Sequence, residues 1–262
     1  MEERWNLHGV WHLVPPPARP APSDLAFIEK YVKRLDRTSS KALILGCTPE
    51  YRDLLMKYRI KTLCADYHPE SFHRFRKHMK QEDSSILFET DWREMEFDGE
   101  FDLILGDLAF NMLNFRDWNN VSGRMNRALK PEGNALQRIW LRIPGKYPDF
   151  NEIVREHKTR KKMHPFYSLC YPFSQHYVKS DGSFDCMTVT KVHLKSRYEE
   201  GLLTKKEFDF FNDFWGVFNT VMSFPTKEQA DEIFSSHLKI DKIFYCKDWF
   251  KLGFPTYVMS KK

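Results

Sequence analysis

Four positions in the first half of the chain follow short apolar runs and could do chemistry: Gly46, Asp66, Asp91 and Asp107. An uninterrupted apolar run is typical of a strand buried on both faces of a parallel sheet. A carboxylate that ends such a strand can accept hydrogen bonds from a ribose diol, or it can bond to nearby backbone. We favour the ligand role for Asp66, and for Asp107 both interpretations stand. The nearby Asn111 fits a loop-capping amide better than a ligand contact.

The loop after the first apolar run, GCTPE at 46–50, limits the kind of cofactor. A dinucleotide enzyme needs a G-x-G-x-x-G pattern here, so that the backbone can approach a pyrophosphate. The loop has one glycine, Gly46, and Glu50 would place negative charge at a helix N-terminus, where a phosphate would bind. The loop therefore argues against NAD, FAD and ATP. It favours a cofactor without phosphates that carries an amino group and a sulfonium.

Further candidates for ligand contact and proton transfer are a dipeptide and several histidines. Asp91 can accept from an exocyclic amine while the Trp92 backbone donates to a ring nitrogen, a pairing that suits adenine. A reaction at an acceptor hydroxyl would also need a general base. The candidates are Asp107 and the histidines of the second half and of the N-terminal segment: His164, His176, His193, His8 and His12.

The elements that must position these residues alternate regularly. The patterns predict helices at 25–35 (with Ser23 or Asp24 as its cap), 49–58, 69–79 and 115–129. Strands are predicted at 41–45, 61–65, 85–88, 101–105 and 134–142. Such alternation predicts a doubly wound α/β fold, whose ligands bind at the carboxyl ends of the strands.

The rest of the chain is predicted as an arm and an insertion. Five prolines stiffen residues 14–22, so we assign residues 1–22 to an N-terminal arm. Residues 148–238 form a helical and aromatic cap, and the core comprises 23–147 and 239–262. Within the second half we predict helices at 150–163, 204–221 and 226–237, an aromatic loop at 164–177 and strands at 239–245 and 256–259.

Composition narrows the class of protein further. The net charge of +5 is mild, and the basic run at 155–162 fits a solvated helix face better than a phosphate-binding patch. The five cysteines are scattered without zinc-ligand spacing, so we expect no metal site and a reducing, cytoplasmic location. Neither a signal peptide nor an apolar run of membrane-spanning length is present, so we expect no membrane partner.

Five segments in order resemble the motifs of class I S-adenosylmethionine-dependent methyltransferases: LILGCTPEYRDLL, TLCADYHPE, LFETDWREM, FDLILGDLAFNML and LKPEGNALQRIWL. The segments KIDKIFYC and PTYVMSK resemble the family's last antiparallel pair. The resemblance implies a seven-stranded Rossmann-like sheet with a cap insertion, and S-adenosylmethionine as cofactor. The first loop departs from the family's usual G-x-G-x-G.

The resemblance also implies a role for each matched residue. Asp66 would bind the ribose hydroxyls and Tyr67 would flank the adenine. Asp91 would accept from the adenine amine beside the Trp92 backbone, and Asp107 would lie near the amino group and the transferred methyl. The residues that would approach the methionine part are Gly46, Cys47 and Thr48.

The acceptor is the least determined part of the prediction. We expect methyl transfer to a small molecule, because the aromatic insertion could line a pocket, although it could equally form a dimer interface. The D/N-P-P-Y/F tetrapeptide of methylases that act on base amino groups is missing after the fourth strand. The alternatives are an RNA methyltransferase, suggested by the charge, and a non-catalytic relative, suggested by the missing glycines. A nicotinamide-dependent oxidoreductase remains a weaker alternative, since Asp66 fits a ribose in either case.

Overall fold

The computed structural model describes residues 11, 14–143, 145, 148–160, 163–215, 221–247 and 253–262. Seven strands form its central sheet: β1 (Lys41–Leu45), β2 (Lys61–Asp66), β3 (Ile86–Glu89), β4 (Phe101–Asp107), β5 (Leu129–Arg138), β8 (Leu238–Tyr245) and β9 (Pro255–Lys261). Their order is β3-β2-β1-β4-β5-β9-β8. The first five are parallel, and β9 is antiparallel to both of its neighbours. The predicted seven-stranded α/β fold is thereby confirmed.

The helices among the described residues follow the predicted alternation in the first half and continue through the second. They are α1 (Pro22–Val32), α2 (Pro49–Lys57), α3 (Pro69–Phe75), α4 (Trp118–Ala128), α5 (Phe150–Thr159), α6 (Tyr171–Tyr177), α7 (Cys186–Thr188), α8 (Lys195–Glu199), α9 (Lys205–Trp215) and α10 (Lys227–His237). None of them is long and apolar enough to span a membrane.

Burial on both faces explains why β1 and β4 are apolar without alternation. Along β1, Leu43 and Leu45 join the core on the side of α4 and α10, whereas Ala42 and Ile44 join the core on the side of α1, α2 and α3. Successive side chains of a strand point to opposite faces, so each face needs its own apolar residues. The carboxyl ends of β1, β2 and β4 consequently meet at one edge of a covered sheet.

Several boundaries differ from the sequence prediction, most clearly those of α1 and β5. Helix α1 begins at Pro22, not at Leu25, because proline is favoured in a helix's first turn. Its cap residue is Ala21, whose N–H donates to the carboxylate of Asp24 at 2.9 Å, so Asp24 lies in the first turn. Strand β5 begins at Leu129 and ends at Arg138, earlier than predicted, because its pairing with β4 extends backwards across an irregularity between Phe101 and Leu103.

The second half contains more regular structure than the sequence predicted. The aromatic loop at 164–177 is instead helical, a π-helical turn at Phe166–Cys170 followed by α6, because its apolar side chains pack into one buried cluster. A helical stretch over residues 186–199 and a small antiparallel pair, β6 (Ser183–Asp185) with β7 (Val221–Ser223), were not predicted. Of the helix predicted at 204–221, the structure describes Lys205–Trp215, residues 216–220 lie outside the described part, and Val221 already belongs to β7.

The arm and the end of the predicted insertion both pack on the rest of the molecule. Val14 and Ala18 of the arm are buried in the same apolar cluster as the insertion helices. Helix α10 lies inside the range predicted for the insertion, yet its Ala230 and Phe234 pack with residues of the sheet. The arm therefore contacts the insertion directly, and α10 covers the sheet as a core helix does.

Candidate functional site

The carboxyl ends of β1 and β2 place Gly46 and Asp66 side by side. The Gly46 N–H donates to the carbonyl of Ala65 at 2.8 Å, which extends the β1–β2 pairing by one residue. Gly46 has φ +93°, a conformation that other residues rarely adopt, and a Cβ there would lie 4.0 Å from the Asp66 carboxylate. The tight turn after β1 therefore brings backbone close to the carboxylate that the sequence singled out.

The carboxylate of Asp66 is oriented by two donors. The backbone N–H of His68 donates to Oδ1 at 2.8 Å, and the Cys47 thiol donates to Oδ2 at 3.2 Å. Burial raises the pKa of Asp66, while these two donors oppose the shift. The neighbouring Cys64 thiol, burial and Asp66 together raise the pKa of Cys47, so its thiol stays protonated and keeps donating. Each carboxylate oxygen keeps a lone pair for a ligand.

Trp92 lies over the same turn. Its indole N–H donates to the carbonyl of Ala65 at 2.7 Å, and a Cβ on Gly46 would lie 3.8 Å from its ring. The Trp92 ring is thus part of the wall beside Gly46 and Asp66, whereas the sequence predicted a hydrogen bond from the Trp92 backbone to an adenine nitrogen. Tyr67, predicted to flank adenine, is exposed at the same edge.

Asp91 already has a strong partner. It caps the short helix Trp92–Glu94 by accepting from the backbone N–H of Arg93, and it accepts from the guanidinium of the same residue at 2.5–3.0 Å. The hydrogen bonds from Arg93 lower the pKa of Asp91. An adenine amine would have to compete with this half-exposed arginine, so the predicted contact requires Arg93 to move.

Asp107 forms a buried pair with Arg138 of β5. The Arg138 Nε lies 2.6 Å from Oδ1, and Nη2 lies 2.5 Å from the same oxygen without hydrogen-bond geometry. Burial raises the pKa of Asp107 to about 7, although the guanidinium opposes the shift. Arg138 was not among the predicted site residues, and the available signal was an arginine within a predicted core strand.

The N-terminal arm is fastened beside this pair. The Arg138 Nη1 donates to the carbonyl of Pro17 at 2.5 Å. Glu50, in the first turn of α2, accepts from the Trp11 indole at 3.0 Å and lies 3.5 Å from the Arg19 guanidinium. The loop residue Glu50 that argued against phosphate is thus the group to which the arm is attached.

Two polar atoms of the first turn of α2 have no hydrogen-bond partner among the described residues. They are Oε2 of Glu50 and the hydroxyl of Tyr51, whose side chain is completely buried. Burial raises the pKa of both groups. Unpartnered buried polar atoms are costly, so a ligand that supplied a donor here would be stabilised.

The remaining predicted site residues have positions that a structural role explains. Thr48, buried in the first loop, is the N-cap of α2. Asn111 is fully buried, and its amide bonds to Trp140 and Ser223. Burial lowers the pKa of His164, whose ring accepts from the Phe166 N–H.

The other predicted histidines are not placed as bases by any observed bond. His176 and His193 are exposed and contact the ring of Tyr177. His8 and His12 lie outside the described residues. A general base therefore remains a prediction from sequence.

No protein-family model and no curated protein matches this sequence. Solved structures do match over nearly the whole chain. One is a Rhodobacter sphaeroides protein described as a Zn-dependent alcohol dehydrogenase, with TM-score 0.64 and 13% identity, covering 99% of this chain and 97% of that one. Another is a S-adenosylmethionine-dependent methyltransferase of Methanosarcina mazei, with TM-score 0.54, 13% identity and coverage of 93% and 98%.

A third similar structure is a TehB-like methyltransferase of Corynebacterium glutamicum that also uses S-adenosylmethionine, with TM-score 0.50, 13% identity and coverage of 99% and 98%. The described residues of this chain hold no cluster of side chains that could bind a metal ion, so nothing in the described part supports a zinc site. The chain thus has the fold of the class I S-adenosylmethionine-dependent methyltransferases.

Proposed function

We propose that this protein transfers a methyl group from S-adenosylmethionine to a small-molecule acceptor. One observation carries the proposal: the turn at Gly46 and the oriented carboxylate of Asp66 meet at the carboxyl ends of β1 and β2, where doubly wound sheets bind their ligands. A ribose needs such a carboxylate, and the glycine leaves room for close approach.

The residues present fit this cofactor better than a nucleotide with phosphates. Glu50 and Tyr51 stand where a pyrophosphate would meet the N-terminus of α2, and an anionic Glu50 would repel it. The unpartnered Oε2 of Glu50 suits an ammonium group, which supplies three donors. Asp107 was predicted to lie near the amino group, but it is already paired with Arg138, so we assign that contact to Glu50.

The chain's own residues would act by binding and positioning. Asp66 would hold the ribose hydroxyls, the Trp92 ring would support the adenosine, and Glu50 would receive the amino group. The bound cofactor supplies an activated methyl on a sulfonium, so orientation of the acceptor can provide much of the catalysis. The buried Asp107–Arg138 pair would keep the ends of β4 and β5 rigid beneath the acceptor.

The basic run gives little support to an RNA acceptor. In the described part of that run, Arg160 is paired with Glu156 at 3.1 Å, which reduces the positive charge available to a phosphate. A small acceptor that binds beside the arm agrees better with the contacts of Trp11, Pro17 and Arg19 with Glu50 and Arg138.

The experiment is transfer of a radiolabelled methyl group from S-adenosylmethionine into fractionated small molecules and, separately, into total RNA. We expect label in a small-molecule fraction with wild type, and loss of at least tenfold with Asp66→Ala. Asp98→Ala, at an exposed position, serves as the matched control. Label in RNA, lost steeply with added salt, would move the acceptor class to nucleic acid. Label in neither fraction would favour the non-catalytic alternative.

A further inference from the structure

A serine, a histidine and a glutamate of the insertion form one hydrogen-bonded relay. The Ser168 Oγ lies 2.7 Å from Nδ1 of His157, and Nε2 of His157 lies 2.9 Å from Oε1 of Glu207. The three residues come from three separate segments, and all are largely buried. Neither the sequence motifs nor the methyl-transfer proposal accounts for this arrangement.

Each segment presents its side chain for a clear local reason. His157 lies one turn beyond Val154 on the buried face of α5, which Phe150 and Ile153 begin. Ser168 is in the middle of the π-helical turn Phe166–Cys170, a conformation that is rare and frequent at functional sites. The three positions are therefore fixed by packed helices.

Glu207 is held by the start of helix α9. The backbone N–H and the hydroxyl of Thr204 both donate to Oε2 of Glu207, at 2.6 and 2.8 Å, as in a capping box. Burial opposes ionisation of this carboxyl, but the bonds from Thr204 and the nearby His157 outweigh it and lower the pKa of Glu207. The side chain is thus an anchored carboxylate whose free oxygen faces the imidazole.

These bonds determine where the protons lie. A carboxylate only accepts, so Nε2 of His157 must carry the hydrogen that it shares with Glu207. Nδ1 is then the acceptor in the neutral ring. The hydroxyl of Ser168 lies 2.7 Å from Nδ1 and 3.4 Å from the His164 carbonyl oxygen, so Nδ1 is its nearer acceptor. The relay has the polarity of a nucleophile, a base and an orienting acid, with the two ring nitrogens used in the reverse order to that of the serine proteases.

Ser168 also lines a cavity of about 260 Å³. Its other walls include Ile153, Met163, Tyr167 and Tyr171, so it is mainly apolar. Arg160 and Glu156 also line it, and they form an ion pair at 3.1 Å. The volume is smaller than that of pockets for drug-sized ligands. A short apolar acyl group matches its size and lining.

We propose that Ser168 and His157 form a second catalytic site, which hydrolyses small esters of short apolar acids, with Glu207 as a positioning residue. The Ser168 Oγ bonds to the ester carbonyl carbon as its proton passes to Nδ1 of His157. The bond from carbon to the alcohol oxygen then breaks, and the alcohol leaves with that proton. Water attacks the acyl-serine by the same route, releasing the acid and restoring the hydroxyl. This proposal does not rest on the methyl-transfer function.

The first test is covalent labelling of the full-length protein with a fluorophosphonate probe, followed by peptide mass spectrometry, together with hydrolysis of p-nitrophenyl butyrate. We expect the label on Ser168, and loss of both label and hydrolysis in Ser168→Ala. Ser174→Ala is the matched control, since Ser174 is another buried serine of the insertion and its hydroxyl donates to the Tyr171 carbonyl at 2.7 Å. Absence of label on wild-type Ser168, or hydrolysis that survives Ser168→Ala, would overturn the proposal.

The second test, Glu207→Gln, separates positioning from folding. Glutamine can still cap α9, because its carbonyl oxygen must face the two donors of Thr204. The amide NH2 of the glutamine then faces Nε2 of His157 and donates to it. The imidazole hydrogen therefore shifts to Nδ1, and the Ser168 hydroxyl loses its acceptor. We expect an unchanged melting temperature and KM, with kcat for the butyrate ester lowered about a thousandfold. An unchanged kcat would contradict the assigned role.

Discussion

At the scale of single residues, the site is governed by carboxylates whose environments differ. Asp66 is oriented by a thiol and a backbone donor, Asp91 is neutralised by an exposed arginine, and Asp107 is enclosed with Arg138. Burial and partner, not residue type, determine which of them can receive a ligand. Asp66 can therefore accept hydrogen bonds from a ligand, whereas Asp107 is engaged in the buried ion pair with Arg138.

The buried Asp107 predicts a pH-dependent stability. Its pKa is about 7 in the folded protein against an ordinary value of 3.8, so the folded state binds the proton more tightly. The stability that this group contributes is fully present below about pH 4 and is lost as the pH rises through about 7. We expect the difference in unfolding free energy between wild type and Asp107→Asn to decline over that interval. Denaturant titrations at several pH values measure it, and a flat difference would contradict the assignment.

At the scale of elements, β4 and β5 can pack side by side because a glycine of one strand lies opposite a glutamine of the other. Gly106 and Gln137 are partners in the strand register, and a Cβ on Gly106 would lie 1.9 Å from Oε1 of Gln137. The Gln137 amide is completely buried and has no hydrogen-bond partner among the described residues. The glycine is therefore required by the side chain on the next strand, not by a turn.

This fit predicts strong coupling between the two positions. Gly106→Ala should destabilise the protein by about 1–3 kcal/mol, because the added methyl meets a packed side chain. Gln137→Ala should relieve most of that cost in the double variant, with a coupling of about 0.5–3 kcal/mol by chemical denaturation. Gly99→Ala, where a Cβ meets nothing within 4 Å, should add to Gln137→Ala without coupling. Additivity at Gly106 as well would refute the described contact.

The elements differ in how closely their bounds could be predicted from the sequence. The strands at 41–45, 61–66 and 101–107 were predicted closely, because a short apolar run between turn signals has few other outcomes. The helical turn at Phe166–Cys170 was not predicted, since its aromatic residues favour helix only when the surrounding cluster buries them. Arg138 and the Ser168 relay were missed for a similar reason, as their partners lie far away in the chain.

At the scale of the whole molecule, the sheet, the insertion and the arm are joined at a few buried polar contacts. Asn111, after β4, donates to the carbonyls of Trp140 and Ser223 and accepts from the Trp140 N–H, all within 2.8 Å. The Tyr167 hydroxyl of the insertion bonds to the carbonyl of Pro16 in the arm. These contacts hold the three parts around the carboxyl edge of the sheet.

Removing the Asn111 amide should loosen the insertion from the sheet. Asn111→Ala removes three hydrogen bonds to buried backbone groups, so we expect a loss of about 3 kcal/mol or more in unfolding free energy. Hydrogen exchange near Trp140 and Ser223 should accelerate in the same variant. Asn120→Ala, whose amide is exposed, should change stability by less than about 0.5 kcal/mol. Equal losses of unfolding free energy in the two variants would contradict the role of Asn111 in connecting the insertion to the sheet.

The most direct measurement of the central claim is calorimetric titration of the purified protein with S-adenosylmethionine and S-adenosylhomocysteine. We predict micromolar binding of both ligands by wild type and by Asp98→Ala, and loss of binding by Asp66→Ala with the fold intact. Failure of wild type to bind either ligand would contradict the account, because the turn at Gly46 and the carboxylate of Asp66 would then not form a cofactor site.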